Sequence, residues 1–133
     1  MTALLCVGET SQEKEYGVTE EAIRKQLKIA LKGATECQNL WIAYEPVWAI
    51  GEGGLPAEPG YVAWVLRIIR NTLQELFGSP ASTVPLLYGG SVNPSNCRSL
   101  ATLDDINGLF IGRSAWDILQ LEDILNRIHS VIL

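Results

Sequence analysis

Apolar residues along the chain fall into two alternating kinds of run. The short blocks are almost unbroken: Ala3-Leu4-Leu5-Cys6-Val7, Leu40-Trp41-Ile42-Ala43-Tyr44, Pro85-Leu86-Leu87-Tyr88 and Gly108-Leu109-Phe110-Ile111. Such runs predict strands covered on both faces, as in a parallel sheet. Between them the apolar positions spread to helical spacing. Ile23, Leu27, Ala30 and Leu31 share one face of a helix that Thr19 caps. Glu20 and Glu21 suit its positive end, Lys28 and Lys32 its negative end, and Gly33 closes it. Val62, Val65, Leu66, Ile69, Leu73 and Leu76 form the inward stripe of a second helix from Pro59 to Phe77, stopped by Gly78 and Pro80. Asn93-Pro94 predicts the cap and first residue of a short helix reaching about Ala101. In a last helix Ile118, Leu121, Ile124, Leu125 and Ile128 point inward.

Strand, turn and helix therefore repeat as one unit, four times. This predicts a single α/β domain over residues 1–133, with parallel strands joined by right-handed crossovers. Polar and glycine residues gather just past each strand: Gly8-Glu9-Thr10, Glu45, Gly89-Gly90-Ser91 and Gly112-Arg113-Ser114. In an α/β barrel that end of the strands carries the active site.

Charge and cysteine content narrow the classes. Ten Lys and Arg against fifteen Asp and Glu leave a net charge of −5. A mildly acidic chain argues against nonspecific binding to nucleic acid or anionic membrane. No apolar run approaches the ~20 residues of a membrane span, and the first eight residues read as a strand without a basic leader. Cys6, Cys37 and Cys97 are few, odd in number and far apart. They fit reduced thiols of a cytoplasmic protein better than disulfides or a metal site, with Cys6 and Cys97 as small buried hydrophobes.

The stretch with the most chemistry is Ala43-Tyr44-Glu45-Pro46-Val47-Trp48-Ala49-Ile50-Gly51-Glu52-Gly53. A buried strand stops at a carboxylate followed by proline, which cannot donate to a strand ladder. Glu45 is either a solvated strand-end carboxylate or a functional one. The loop after it is apolar at its centre and ends in glycines, which fits a lid that folds over a ligand and excludes water.

Tyr44-Glu45-Pro46-Val47-Trp48-Ala49-Ile50-Gly51 resembles the catalytic strand and closing loop of the triosephosphate isomerase family. Cys6-Val7-Gly8-Glu9-Thr10, Tyr88-Gly89-Gly90-Ser91-Val92 and Gly108-Leu109-Phe110-Ile111-Gly112 resemble its fifth, seventh and eighth strands, in the family's order. A complete barrel takes about 250 residues, so the resemblance implies the C-terminal half of a TIM (β/α)8 barrel. It implies Glu45 as the base, taking a proton from carbon beside a carbonyl to give an enediolate that is reprotonated on the neighbouring carbon. It implies phosphate binding at Gly51, Ser91, Gly112 and Arg113, aided by the positive end of a helix beginning near Ser114. Pro46, Val47, Trp48, Ala49, Ile50 and Gly53 would form the lid, with Trp48 packing it and Tyr88 touching it. Glu9 would hold the turns together by hydrogen bonds.

The implied activity is interconversion of dihydroxyacetone phosphate and glyceraldehyde 3-phosphate, without metal or cofactor. Two departures bear on the substrate. Arg113 stands where the family usually has a second glycine, and either reaches the phosphate or points outward to an acidic partner. Glu52 and Gly54 replace the threonine and lysine usual in the lid. The alternatives are a related isomerase of another phosphosugar, such as a tetrulose phosphate, or a noncatalytic phosphate-binding half-barrel. The family's lysine and electrophilic histidine lie in the N-terminal half-barrel, and His129 does not match that histidine. A half-barrel also leaves strand edges and an inner face open. Self-association, or pairing with an N-terminal half, is the expectation, with a small phosphorylated sugar as ligand.

Overall fold

The computed structural model describes residues 1–132. Four strands, β1 (Ala3–Val7), β2 (Leu40–Tyr44), β3 (Leu86–Tyr88) and β4 (Gly108–Leu109), form one sheet in the order β1-β2-β3-β4. All neighbours are parallel. Five helices intervene: α1 (Ser11–Glu15), α2 (Thr19–Ala30), α3 (Pro59–Phe77), α4 (Cys97–Ala101) and α5 (Ile118–Ile132). Short 3-10 turns occupy Val47–Ala49, Ser79–Thr83 and Arg113–Ala115. The four parallel βα units are half of a TIM barrel.

The register assigns the two faces of the sheet. Leu5, Ile42 and Leu86 are aligned, as are Val7, Tyr44, Tyr88 and Leu109. Of these, Val7, Ile42, Tyr44, Leu86 and Tyr88 belong to the core with Ile23 and Leu27 of α2 and Val62, Val65, Leu66, Ile69 and Leu73 of α3. Each large apolar side chain so buried contributes about 1.5–3 kcal/mol. Leu4 and Trp41 pair on the opposite face and remain exposed. Ala43, on that same face, is buried between its strand neighbours.

Several expectations are corrected. Residues 11–15, a polar connector by their sequence pattern, form a helix because Thr10 and Glu13 build a reciprocal capping box. Thr19 lies inside α2, and Val18 is its cap; the Thr19 hydroxyl is instead 2.8 Å from that of Tyr61. The regular part of α4 begins after Asn96, whose side chain makes no cap bond, while Asn93 caps the turn before it as expected: its Oδ1 accepts from Ser95 N at 2.8 Å and its carbonyl from Cys97 N at 3.0 Å. Ala30 and Leu76 are exposed. Nineteen residues of α3 run about 28 Å, well past a five-residue strand of about 16 Å, so its last turn outruns the sheet. Ile118 and Leu125 are also exposed, and Ile124 is the fully buried member of the α5 stripe. α5 packs mainly on α4 and the Arg113–Ala115 turn, which cover only part of its fifteen residues. Trp41, Trp64 and Trp116, expected in the core or at an interface, are exposed and so are not core. Cys6 is exposed as well, while Cys37 and Cys97 are buried.

Candidate active site

Glu45 follows β2 directly, and its backbone N–H continues the ladder by donating to Val7 O at 2.8 Å. Two glycines make room for it. A Cβ on Gly8 would collide with the Glu45 carbonyl, and one on Gly89 would lie 2.9 Å from Glu45 Oε1 and 3.0 Å from Phe110 O. The ends of β1 and β3 can thus close around the acid only because they carry no side chain. Cys6 lies beside the same carboxylate. Burial, then the neighbouring Glu45, holds its thiol above the usual range.

Glu45 opens onto a cavity of about 540 Å³ that Ile50, Gly51, Ser91, Asn93, Gly112, Arg113 and Gln120 also line. The acid at position 45 and the turns after β3 and β4 therefore share one space. A Cβ on Gly112 would meet no protein atom within 4 Å. Protein packing does not require glycine there; its backbone, with φ −92° and ψ −115°, lies outside the regions that other residues favour. The expected helix start near Ser114 is a 3-10 turn over Arg113–Ala115, with α5 beginning at Ile118.

The lid is held at both ends. At its start, Val47 N donates to Glu9 O at 2.9 Å. The Glu9 side chain is fully buried and accepts from Trp48 Nε1 at 2.9 Å, Tyr61 Oη at 2.8 Å and Tyr44 Oη at 3.1 Å. Lys14 Nζ caps the Trp48 ring at 3.5 Å from its centre. Burial, with the Glu9 charge behind it, drives the Tyr44 phenol far above its ordinary range. Burial likewise pushes Tyr61 up to about 12. At the lid's end, Ser91 Oγ donates to Ala49 O at 2.7 Å and to Gly54 O at 3.2 Å. Ser91 has a φ of +48°, a conformation L residues seldom adopt. Its carbonyl accepts from Asn93 Nδ2 and Asn96 Nδ2, both at 3.0 Å, which pins the turn. Arg113 Nη2 donates to the carbonyl of Gly51.

A profile of the triosephosphate isomerase family matches residues 1–128. The chain belongs to that family. An L-erythrulose-1-phosphate isomerase of Rhizobium etli is 46% identical over 135 residues, covering 99% of this chain and 49% of the relative. That of Rhizobium meliloti is 42% identical over 135 residues, covering 99% and 52%. The crystal structure of triosephosphate isomerase from Bartonella henselae superposes with a TM-score of 0.84 at 32% identity, over 97% of this chain and 51% of that one. The chain spans about half the length of the relatives it matches.

Every residue expected at the site of this triosephosphate isomerase family member lies on the cavity or in the lid. Glu45, Ala49, Ile50, Gly51, Ser91, Gly112 and Arg113 line the cavity itself. Pro46 is buried beneath the lid, Val47 is exposed on it, and Gly53 is exposed at its far turn with a φ of +79°. Trp48 is half-buried against the core, as lid packing requires. Tyr88 is buried and donates to Gly90 O at 3.2 Å, just below the lid. His129 lies outside the site, exposed near the end of α5. Sequence alone missed Lys14, Asn93, Phe110 and Gln120. No local spacing marks them, because α1 and the turns bring them in from elsewhere in the chain.

Proposed function

We propose that this chain is the base-bearing and phosphate-holding half of an isomerase acting on a phosphorylated four-carbon ketose. The carrying observation is that Glu45 and the three glycine- or serine-bearing turns open onto one cavity. Phosphate would sit against the backbone N–H groups near Gly51, Ser91, Gly112 and Arg113, where glycine leaves the main chain accessible. The Glu45 carboxylate would take a proton from carbon beside the carbonyl. The electron pair moves to the carbonyl oxygen, giving an enediolate. The hydroxyl proton passes to that oxygen as the proton held by Glu45 returns to the neighbouring carbon, and the new carbonyl forms on the carbon first deprotonated. The lid keeps water from that intermediate. Erythrulose phosphate is favoured over triose phosphate by the relatives at 46% and 42% identity. The triose reading has the 32% identical solved structure behind it.

Proton abstraction can be followed without full turnover. In D2O, NMR reads deuterium entering the carbon next to the carbonyl of L-erythrulose 1-phosphate or dihydroxyacetone phosphate. Incorporation should favour the four-carbon substrate, and Glu45→Gln should slow it by about a thousandfold. Undiminished incorporation in Glu45→Gln removes Glu45 from the role of base. Phosphate binding with no incorporation from either sugar would favour a noncatalytic phosphate-binding half-barrel.

A further inference from the structure

Arg113 is the basic residue lining the cavity, among the described residues. No carboxylate there lies within ion-pairing reach of it. Among the described residues its side chain makes one hydrogen bond, which crosses 62 residues of sequence to the carbonyl of Gly51. That carbonyl also receives the Gly54 N–H at 3.3 Å, closing the tight turn that ends the lid. Gly51 and Gly53 both hold left-handed conformations there, with φ of +78° and +79°. Guanidinium carries five N–H donors in a rigid fork. One is committed to the lid, and the rest remain at the mouth of a cavity whose charged lining is otherwise the Glu45 carboxylate.

We propose that Arg113 is a positioning residue that couples anion binding to the end of the lid. This rests on the phosphate reading of the cavity. A bound phosphate takes the donors that Gly51 leaves free and neutralises the unpaired charge. The fork is then fixed from both sides, and with it the turn at Gly51–Gly54. Phosphate thereby steadies the lid through the same side chain that grips it. Lysine would keep the charge but lose the fork, because an ammonium is a point charge on a flexible stem.

The test uses the whole chain, with inorganic phosphate as probe and two readouts. NMR titration gives the dissociation constant, and amide hydrogen exchange follows residues 46–55. In the unaltered chain phosphate should slow exchange at residues 51–55. Arg113→Gly should weaken phosphate about tenfold, the scale of a charged hydrogen bond, and abolish that slowing. Arg113→Lys should recover part of the affinity and none of the slowing. Full affinity and full slowing in Arg113→Gly overturn the proposal. If the unaltered chain binds no phosphate, the phosphate reading fails first. The ligand-free comparison then decides the tie to the lid: Arg113→Gly must speed exchange at 51–55 and leave 46–49 unchanged, and equal rates there refute it.

Discussion

The two ends of the lid are fastened by different physics. At the start, a fully buried carboxylate gathers three side-chain donors, from Tyr44, Trp48 and Tyr61. At the end, two exposed or half-buried side chains, Ser91 and Arg113, hold backbone carbonyls. A charge-centred buried cluster is strong when complete and costly when broken, since each donor left without a partner keeps its desolvation penalty. Hydrogen bonds near solvent can exchange with water at little cost. The loop after Glu45 is thus anchored where it leaves β2 and more easily released where it meets the turns after β3 and β4.

The largest expected effect comes from removing the anchor. Glu9→Ala strands three donors and should cost about 3 kcal/mol or more, read by urea unfolding. A loss under about 1 kcal/mol would place the start of the lid on the same footing as its end.

Alkaline pH attacks the same cluster without mutation. An unfolded tyrosine loses its proton near pH 10, whereas Tyr61 holds its own up to about 12 and Tyr44 beyond that. Between those values the folded chain carries more protons than the unfolded one, so stability falls as pH rises. Thermal melts from pH 9 to 12 should show this decline, and Tyr61→Phe should reduce it by the share of one tyrosine, Tyr44 and Tyr88 supplying the rest. A pH-independent melting temperature across that range would contradict the cluster as drawn. The far end is held by Ser91 and Arg113 with no tyrosine among those contacts, so its stability should respond less.

Ser91→Ala should have the smallest effect, about 1 kcal/mol of global stability. Its larger signature is local: faster amide exchange around Ala49–Leu55, with Val47 unaffected. Equal acceleration at both ends would mean that the lid is a single rigid unit, not a hinged one.

The alternation of β-type and helical apolar runs was enough to place all four strands and the main helices α2, α3 and α5. It also marked Glu45 as a strand-end acid, the apolar lid behind it, and the glycine turns that face it. These are properties of neighbours in sequence, where period and backbone freedom act directly. Tertiary structure decided which apolar stripes are buried, leaving Ile118 and Leu125 of α5 exposed. It also decided that Glu9 meets Tyr44 and Tyr61, 35 and 52 residues away, and that Arg113 turns to the lid instead of an acid. Such partners are chosen by strand order and by the desolvation cost of leaving a polar group alone. Neither is written in any local spacing.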